Sequence, residues 1–199
     1  MHIPTAIQNR RGRLAAIVAV GASLALPLSA QAATHSAYLT VPDFGAKAKT
    51  PIAGAIPITD WSWGLEASTN PGTATTGAGA GKVSFNTFKF TKPIDATSPQ
   101  FMGALTRGQR LDNVRVYVPL NGARKGGAAL QLNLSSVFVK NDTLAGTDGQ
   151  EPTEEIELAV GAVNETYQPD DITGDPLAKV TDGWNRVTNQ PQPLDVDGS

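Results

Sequence analysis

"NVRVYVPLNGARKGGAALQLNLSSVFV", residues 113–139, decides the fold. Val114, Val116, Val118 and Leu120 alternate with Arg115 and Tyr117; further on, Leu130, Leu132 and Leu134 alternate with Gln131 and Asn133. Alternation with period two marks a strand with one buried face. Between the two runs, GARKGG is turn chemistry. The stretch therefore predicts antiparallel strands, and the same pattern recurs on both sides of it.

Towards the N-terminus, SAYLTV (residues 36–41) reads as a short strand. In IPITDWSWGLEAS, Trp61, Trp63 and Leu65 share one face and Ser62, Gly64 and Glu66 the other. Core packing is the expected role of the tryptophan pair, and a sugar-stacking platform is the rival. In KVSFNTFKF, Val83 and Phe85 fall on one parity and Phe88 and Phe90 on the opposite one, so a bulge is expected at Asn86-Thr87. DATSPQFMGALTRG (residues 95–108) predicts the one helix, of about ten residues. Ser98 is the expected N-cap, Pro99 the first helical residue, Phe101, Met102 and Leu105 the apolar stripe, and Gly108 the left-handed close.

Towards the C-terminus, residues 141–152 read as a loop. In EEIELAVGAVNETYQP, Ile156, Leu158 and Val160 alternate with Glu155, Glu157 and Ala159. Residues 169–176 are an acidic loop, DGWNRV is a short closing element, and residues 190–199 are expected to be disordered. Seven or eight strands and one helix predict a mainly β fold, an antiparallel β-barrel or sandwich of two sheets flanked by a short helix.

The first 32 residues read as a signal peptide. Arg10, Arg11 and Arg13 precede an apolar run, and Ala30-Gln31-Ala32 offers the small-x-small pattern for a cut before Ala33. The run is shorter than the roughly 20 apolar residues of a membrane span, so no stable membrane anchor is expected. Residues 33–189 then form one domain. Without the leader, 13 basic and 18 acidic residues remain, a net charge of −5. That balance argues against nucleic acid, which needs clustered Lys and Arg.

Catalytic and cofactor motifs are missing. GTATTGAGAGKV (residues 72–83) has Thr76 where a phosphate loop needs glycine, and Val83 where it needs Ser or Thr. With no cysteine and only His2 and His35, the chain supplies neither a zinc ligand set nor a positioned catalytic base. Glu155 and Glu157 share a strand face, which reads as a solvated surface. No enzyme activity and no cofactor are predicted.

ITDWSWG, then GAGKV, FTKPIDATSPQFM, EEIEL, YQP and DGWN follow one another in an order that resembles the haemolysin-coregulated protein (Hcp) family. The resemblance covers residues 37–189. It implies two β-sheets with one flanking helix and a structural, non-enzymatic role in the type VI secretion system. The implied partner is the chain itself: six-membered rings, stacked into a secreted tube that can carry small effector proteins. The resemblance also assigns a ring-stacking contact to the loop containing Asn70, Gly72, Gly77, Gly79, Gly81 and Lys82, where small side chains let backbone lie close to a neighbour. Family subunits are normally made without a cleavable leader. The leader read in this chain departs from that and would carry it across the inner membrane, so export to the periplasm or beyond is expected, or a cytoplasmic stage before secretion if translation starts further on. The alternative function is an exported stand-alone β-sandwich that binds a glycan or a partner protein.

Overall fold

The computed structural model describes residues 37–45, 50–70, 79–119 and 130–192. In chain order its first strands are β1 (Ala37–Thr40), β2 (Ile56–Ile58), β3 (Asp60–Ser62), β4 (Leu65–Asn70), β5 (Gly79–Phe85) and β6 (Phe88–Pro93). The helix α1 (Ser98–Arg107) follows, then β7 (Arg110–Leu111), β8 (Val114–Val118), β9 (Leu130–Ser135) and β10 (Val137–Ala145). The last four are β11 (Thr153–Ala159), β12 (Ala162–Tyr167), β13 (Val180–Asn185) and β14 (Gln190–Pro191).

Every paired strand is antiparallel. One sheet has the order β14-β13-β12-β9-β8-β1-β2, a second β3-β6-β11-β10-β7, and β4 pairs with β5 as a separate hairpin. The sheets are open, so the fold is the sandwich form of the expected barrel or sandwich. Leu39, Val116, Leu132 and Leu134 from the first sheet share one core with Phe88, Phe90, Ile156 and Leu158 from the second. Each such side chain contributes about 1.5–3 kcal/mol of burial free energy.

Helix α1 closes this core. Phe101 is fully buried, its ring edge-on to Phe44 at 4.8 Å and to Phe90 at 5.8 Å. Gly108 takes the left-handed conformation at φ 58°, and the N–H groups of Gly108 and Gln109 reach the carbonyls of Leu105 and Ala104. The N-terminus differs from expectation. Thr97 is the cap residue and Ser98 is already helical, because the Ser98 hydroxyl is engaged below the helix rather than on its own backbone. Met102 also departs from the expected stripe and stands 57% exposed.

Several strand boundaries escape the alternation. The parity slip at Asn86-Thr87 is a break between β5 and β6, which lie in different sheets, and not a bulge. At Ser136, φ is 52° and the chain passes from one sheet to the other, so residues 130–145 make two strands. The second, β10, runs to Ala145 through part of the expected loop. Gly161 carries the chain back again: its N–H reaches the Ser135 and Ser136 carbonyls, and a Cβ there would lie 2.7 Å from the Ser136 Cβ. Gln190 and Pro191, expected to begin the tail, pair with β13. Residues 193–199, like residues 1–36, lie outside the described residues.

Candidate functional site

Strand phase places a lysine and a glutamate inside the protein. Phe88, Phe90 and Lys92 alternate inward along β6, and Glu154, Ile156 and Leu158 do so along β11. The two strands pair with Lys92 opposite Glu154. Lys92 is fully buried, and its ammonium lies 2.9 Å from Glu154 Oε2 and 3.0 Å from Asp95 Oδ1. It also lies 3.0 Å from Ser98 Oγ and donates to the Pro93 carbonyl at 2.9 Å. The Ser98 hydroxyl donates to Glu154 Oε2 at 2.6 Å. This junction ties β6, β11 and the first turn of α1 together.

A serine beside a lysine can form a catalytic dyad when the amine is free to accept a proton. Here the ammonium faces two carboxylates and a carbonyl, so its hydrogens are committed to structure. Asp95 is drawn two ways: burial pushes its pKa up, but hydrogen bonds from Thr97 and Lys92 outweigh that and hold it below the usual range.

Asp142, on β10, faces the same junction. Burial, the neighbouring Glu154 charge and a hydrogen bond to the Glu154 carboxylate raise its pKa to about 6, against a smaller opposing pull from Lys92. Asp142 Oδ1 and Glu154 Oε1 are both closed off from solvent, and a proton carried by one carboxyl is the donor that joins the two side chains. Above this pair opens a groove of about 850 Å³ between α1 and β10, with Ile94, Met102 and Leu144 on its walls. No three acidic, histidine or cysteine side chains among the described residues converge closely enough to hold a metal ion.

A second concavity, of about 840 Å³, lies between β4 and the β12–β13 pair. Trp63, Tyr167 and Trp184 line it together with Glu165 and Asp182. Trp63 Nε1 donates to the Asn86 carbonyl at 3.1 Å, whereas Trp184 Nε1 is buried without an acceptor among the described residues. Trp61 stacks on Phe88 at 6.1 Å, the packing role expected of it. Leu65, expected on the tryptophan face, is 46% exposed because β3 ends at Ser62 and the chain enters the separate hairpin.

The expected stacking loop is only partly in view. Asn70 ends β4 and pairs with Gly79 on β5. The register shifts between Ala67 and Thr69, where Gly81 and the exposed Lys82 stand on the facing strand. Gly72 and Gly77 lie outside the described residues, as do Ala30, Ala32 and Ala33. Glu155 and Glu157 stand in different settings. Glu155 is exposed, and Glu157 is held by Lys89 at 2.7 Å, a hydrogen bond that lowers the Glu157 pKa. Sequence reasoning passed over Lys92, and counted Glu154 and Asp142 only as part of an acidic stretch, although the inward phase of Lys92 and Glu154 was available in the alternation.

Both β4 and β5 leave a flank unpaired, since each pairs only with the other among the described residues. They are six and seven residues long, whereas the edge strands β2, β3, β7 and β14 have two or three. Long open edges invite pairing with another chain, and short ones resist it.

Comparison with known proteins agrees with this architecture. A structure of a type six secretion system protein superposes with a TM-score of 0.71 at 22% identity, covering 79% of this chain and 99% of that one. Hcp1 from Salmonella typhimurium gives 0.62 at 16% identity over 79% and 99% of the two chains. A type VI secretion system effector from Yersinia pestis gives 0.58 at 17% identity over 75% and 98%. At these identities the likeness is one of fold. Protein hcp1 of Pseudomonas aeruginosa is 30% identical over 109 residues, 52% of this chain, and the match spans 65% of that relative's length. Residues 38–167 match the family model described as type VI secretion system effector, Hcp. The chain belongs to the Hcp family.

Proposed function

We propose that this chain is a non-enzymatic structural subunit of a type VI secretion tube: six copies close into a ring, rings stack, and the assembly is exported. Family membership makes a self-assembling role the first expectation, and the observation that carries it is the open-edged β4–β5 hairpin. Its exposed Leu65 and long unpaired flanks suit contact with a second copy, and the loop from Asn70 to Lys82 at its tip is the proposed stacking contact. Cleavage before Ala33, periplasmic or extracellular delivery, and carriage of small effector proteins in the ring belong to the same proposal. Light scattering coupled to size exclusion tests it. The expected mass is that of six subunits, and a monomer mass at every loading would overturn the reading.

The aromatic cleft favours a second reading, in which the chain binds a glycan. Trp63 and Trp184 offer ring faces, and Glu165 and Asp182 offer acceptors for sugar hydroxyls. Titration with soluble oligosaccharides would then shift tryptophan emission, with the shift lost in Trp184→Ala. No shift across a panel of hexose oligomers would remove this reading.

A further inference from the structure

We propose that Asp142 and Glu154 form a proton-operated latch between β10 and α1: a proton shared by the two carboxyls holds the first turn of α1 against β10, and its loss frees that turn and opens the groove. Two oxygens lead to this. Asp142 Oδ1 and Glu154 Oε1 are closed to solvent, and no N–H or hydroxyl among the described residues reaches either one. A carboxylate only accepts hydrogen bonds, so the two groups meet favourably only when one of them carries a proton. Lys92 does not stand in for it. Its hydrogens go to Pro93 O, Asp95 Oδ1 and Glu154 Oε2, with Ser98 Oγ also at 3.0 Å. Three carboxylates, Asp95, Asp142 and Glu154, gather around this one ammonium. Without the shared proton, negative charge at the junction outweighs positive, and like charges in a partly dry site repel.

That repulsion reaches α1 by two routes. Glu154 Oε2 accepts from the Ser98 hydroxyl at 2.6 Å. Asp95, which shares Lys92 with Glu154, accepts from the Thr97 N–H at 2.8 Å and from the Thr97 hydroxyl at 2.6 Å. Thr97 and Ser98 are the cap and the first residue of the helix. Little packing opposes movement on the groove side, where Met102 and Leu144 stand 57% and 64% exposed. The charged groups that face Asp142 are Glu154 of β11, Lys92 of β6 and Asp95 before α1. Helix α1 itself brings Ser98, Pro99, Met102 and Leu105 to the groove, none of them charged. On β10, Lys140 turns to Glu157 at 3.9 Å, and β7 pairs with β10 at Val137 and Phe138. Burial, the Glu154 charge and the hydrogen bond to Glu154 raise the Asp142 pKa to about 6. The latch is therefore closed at lower pH and released as pH rises through that value. One folded subunit is enough for this, with or without a ring.

The chain has two methionines, Met1 and Met102, so a carbon-13 methyl label reports on the groove wall directly. The full chain is titrated from about pH 5 to about pH 7.5, a window that brackets the release. The Met102 methyl resonance is expected to shift with one midpoint near pH 6. Hydrogen exchange is followed over the same window and corrected for the intrinsic pH dependence of amide exchange. The amides of Phe101 and Met102 are expected to lose about tenfold in protection, while those of Val116 and Leu132, on strands paired on both sides, keep theirs. Asp142→Asn carries an amide that donates to Glu154 at every pH, so both responses are expected to vanish. Asp175→Asn, in the loop between β12 and β13, is expected to leave both as they are. The parent chain alone can overturn the proposal: a Met102 resonance that stays put, or protection lost equally from α1 and from the central strands, would do so. A Met102 titration that survives in Asp142→Asn would overturn it as well.

Discussion

Lys92 and Glu154 face inward because their strands leave them no other side, and Glu154 depends on Lys92 for neutrality, while Lys92 also has Asp95 at 3.0 Å. A buried ion pair adds little over well-packed apolar residues, but losing one partner strands a charge. Lys92→Met is therefore predicted to cost about 3–5 kcal/mol in urea unfolding, and the double variant Lys92→Met with Glu154→Leu to recover most of that loss. If the double variant is no better than the single one, the pair does more than neutralise itself. Asp142 gives a pH signature at the same junction. Its folded pKa is about 6 against an ordinary 3.8, so its protonated form favours the folded state. That stabilisation is complete below about pH 3.8 and is lost as pH rises through about 6. The charged groups around it are Lys92 of β6, Asp95 before α1 and Glu154 of β11. Asp142→Asn is predicted to raise stability at pH 7 by about 1 kcal/mol, after allowance for solvent screening, and to flatten the melting temperature between pH 4 and 7. A variant with the parent's pH profile would contradict the assignment.

At the scale of elements, single glycines fix geometry that bulkier residues cannot take. Gly183 on β13 faces Asn164 on β12, and a Cβ there would lie 2.7 Å from the Val163 carbonyl oxygen. Gly183→Ala is predicted to cost about 1–3 kcal/mol, checked by thermal unfolding, because a backbone atom cannot step aside. Gly108→Ala strains a left-handed helix close and is predicted to cost about 1 kcal/mol. Much of this level was legible in the sequence. Pro99, Phe101, Arg107 and Gly108 placed α1 to within a residue, and the alternation of β8, β9 and β11 survives in their burial. The sheet switch at Ser136 was not legible, since serine carries no local mark of a positive φ. The groove was hidden for a different reason: Asp142 sits beyond the register shift between Val139 and Asn141, which breaks the phase needed to place it. The aromatic cleft joins Trp63 to Trp184 across 121 positions, and no local pattern links them.

For the whole molecule, the decisive feature is where backbone is left unpaired. Among the described residues the two main sheets end in strands of two or three residues, and the β4–β5 hairpin keeps the long open flanks. Self-association should therefore respond to the hairpin more than to any other edge. Deleting residues 72–78 is predicted to leave the circular dichroism of the subunit unchanged and to weaken stacking of rings, seen as shorter particles in the microscope. Unaltered particle length would remove the loop from the contact. The proposed function needs subunits that work by touching copies of themselves. Negative-stain imaging of the purified chain tests that most directly: class averages with sixfold annular symmetry are predicted, and a field of single small globules with no annuli, at concentrations up to those of overexpression, would contradict it.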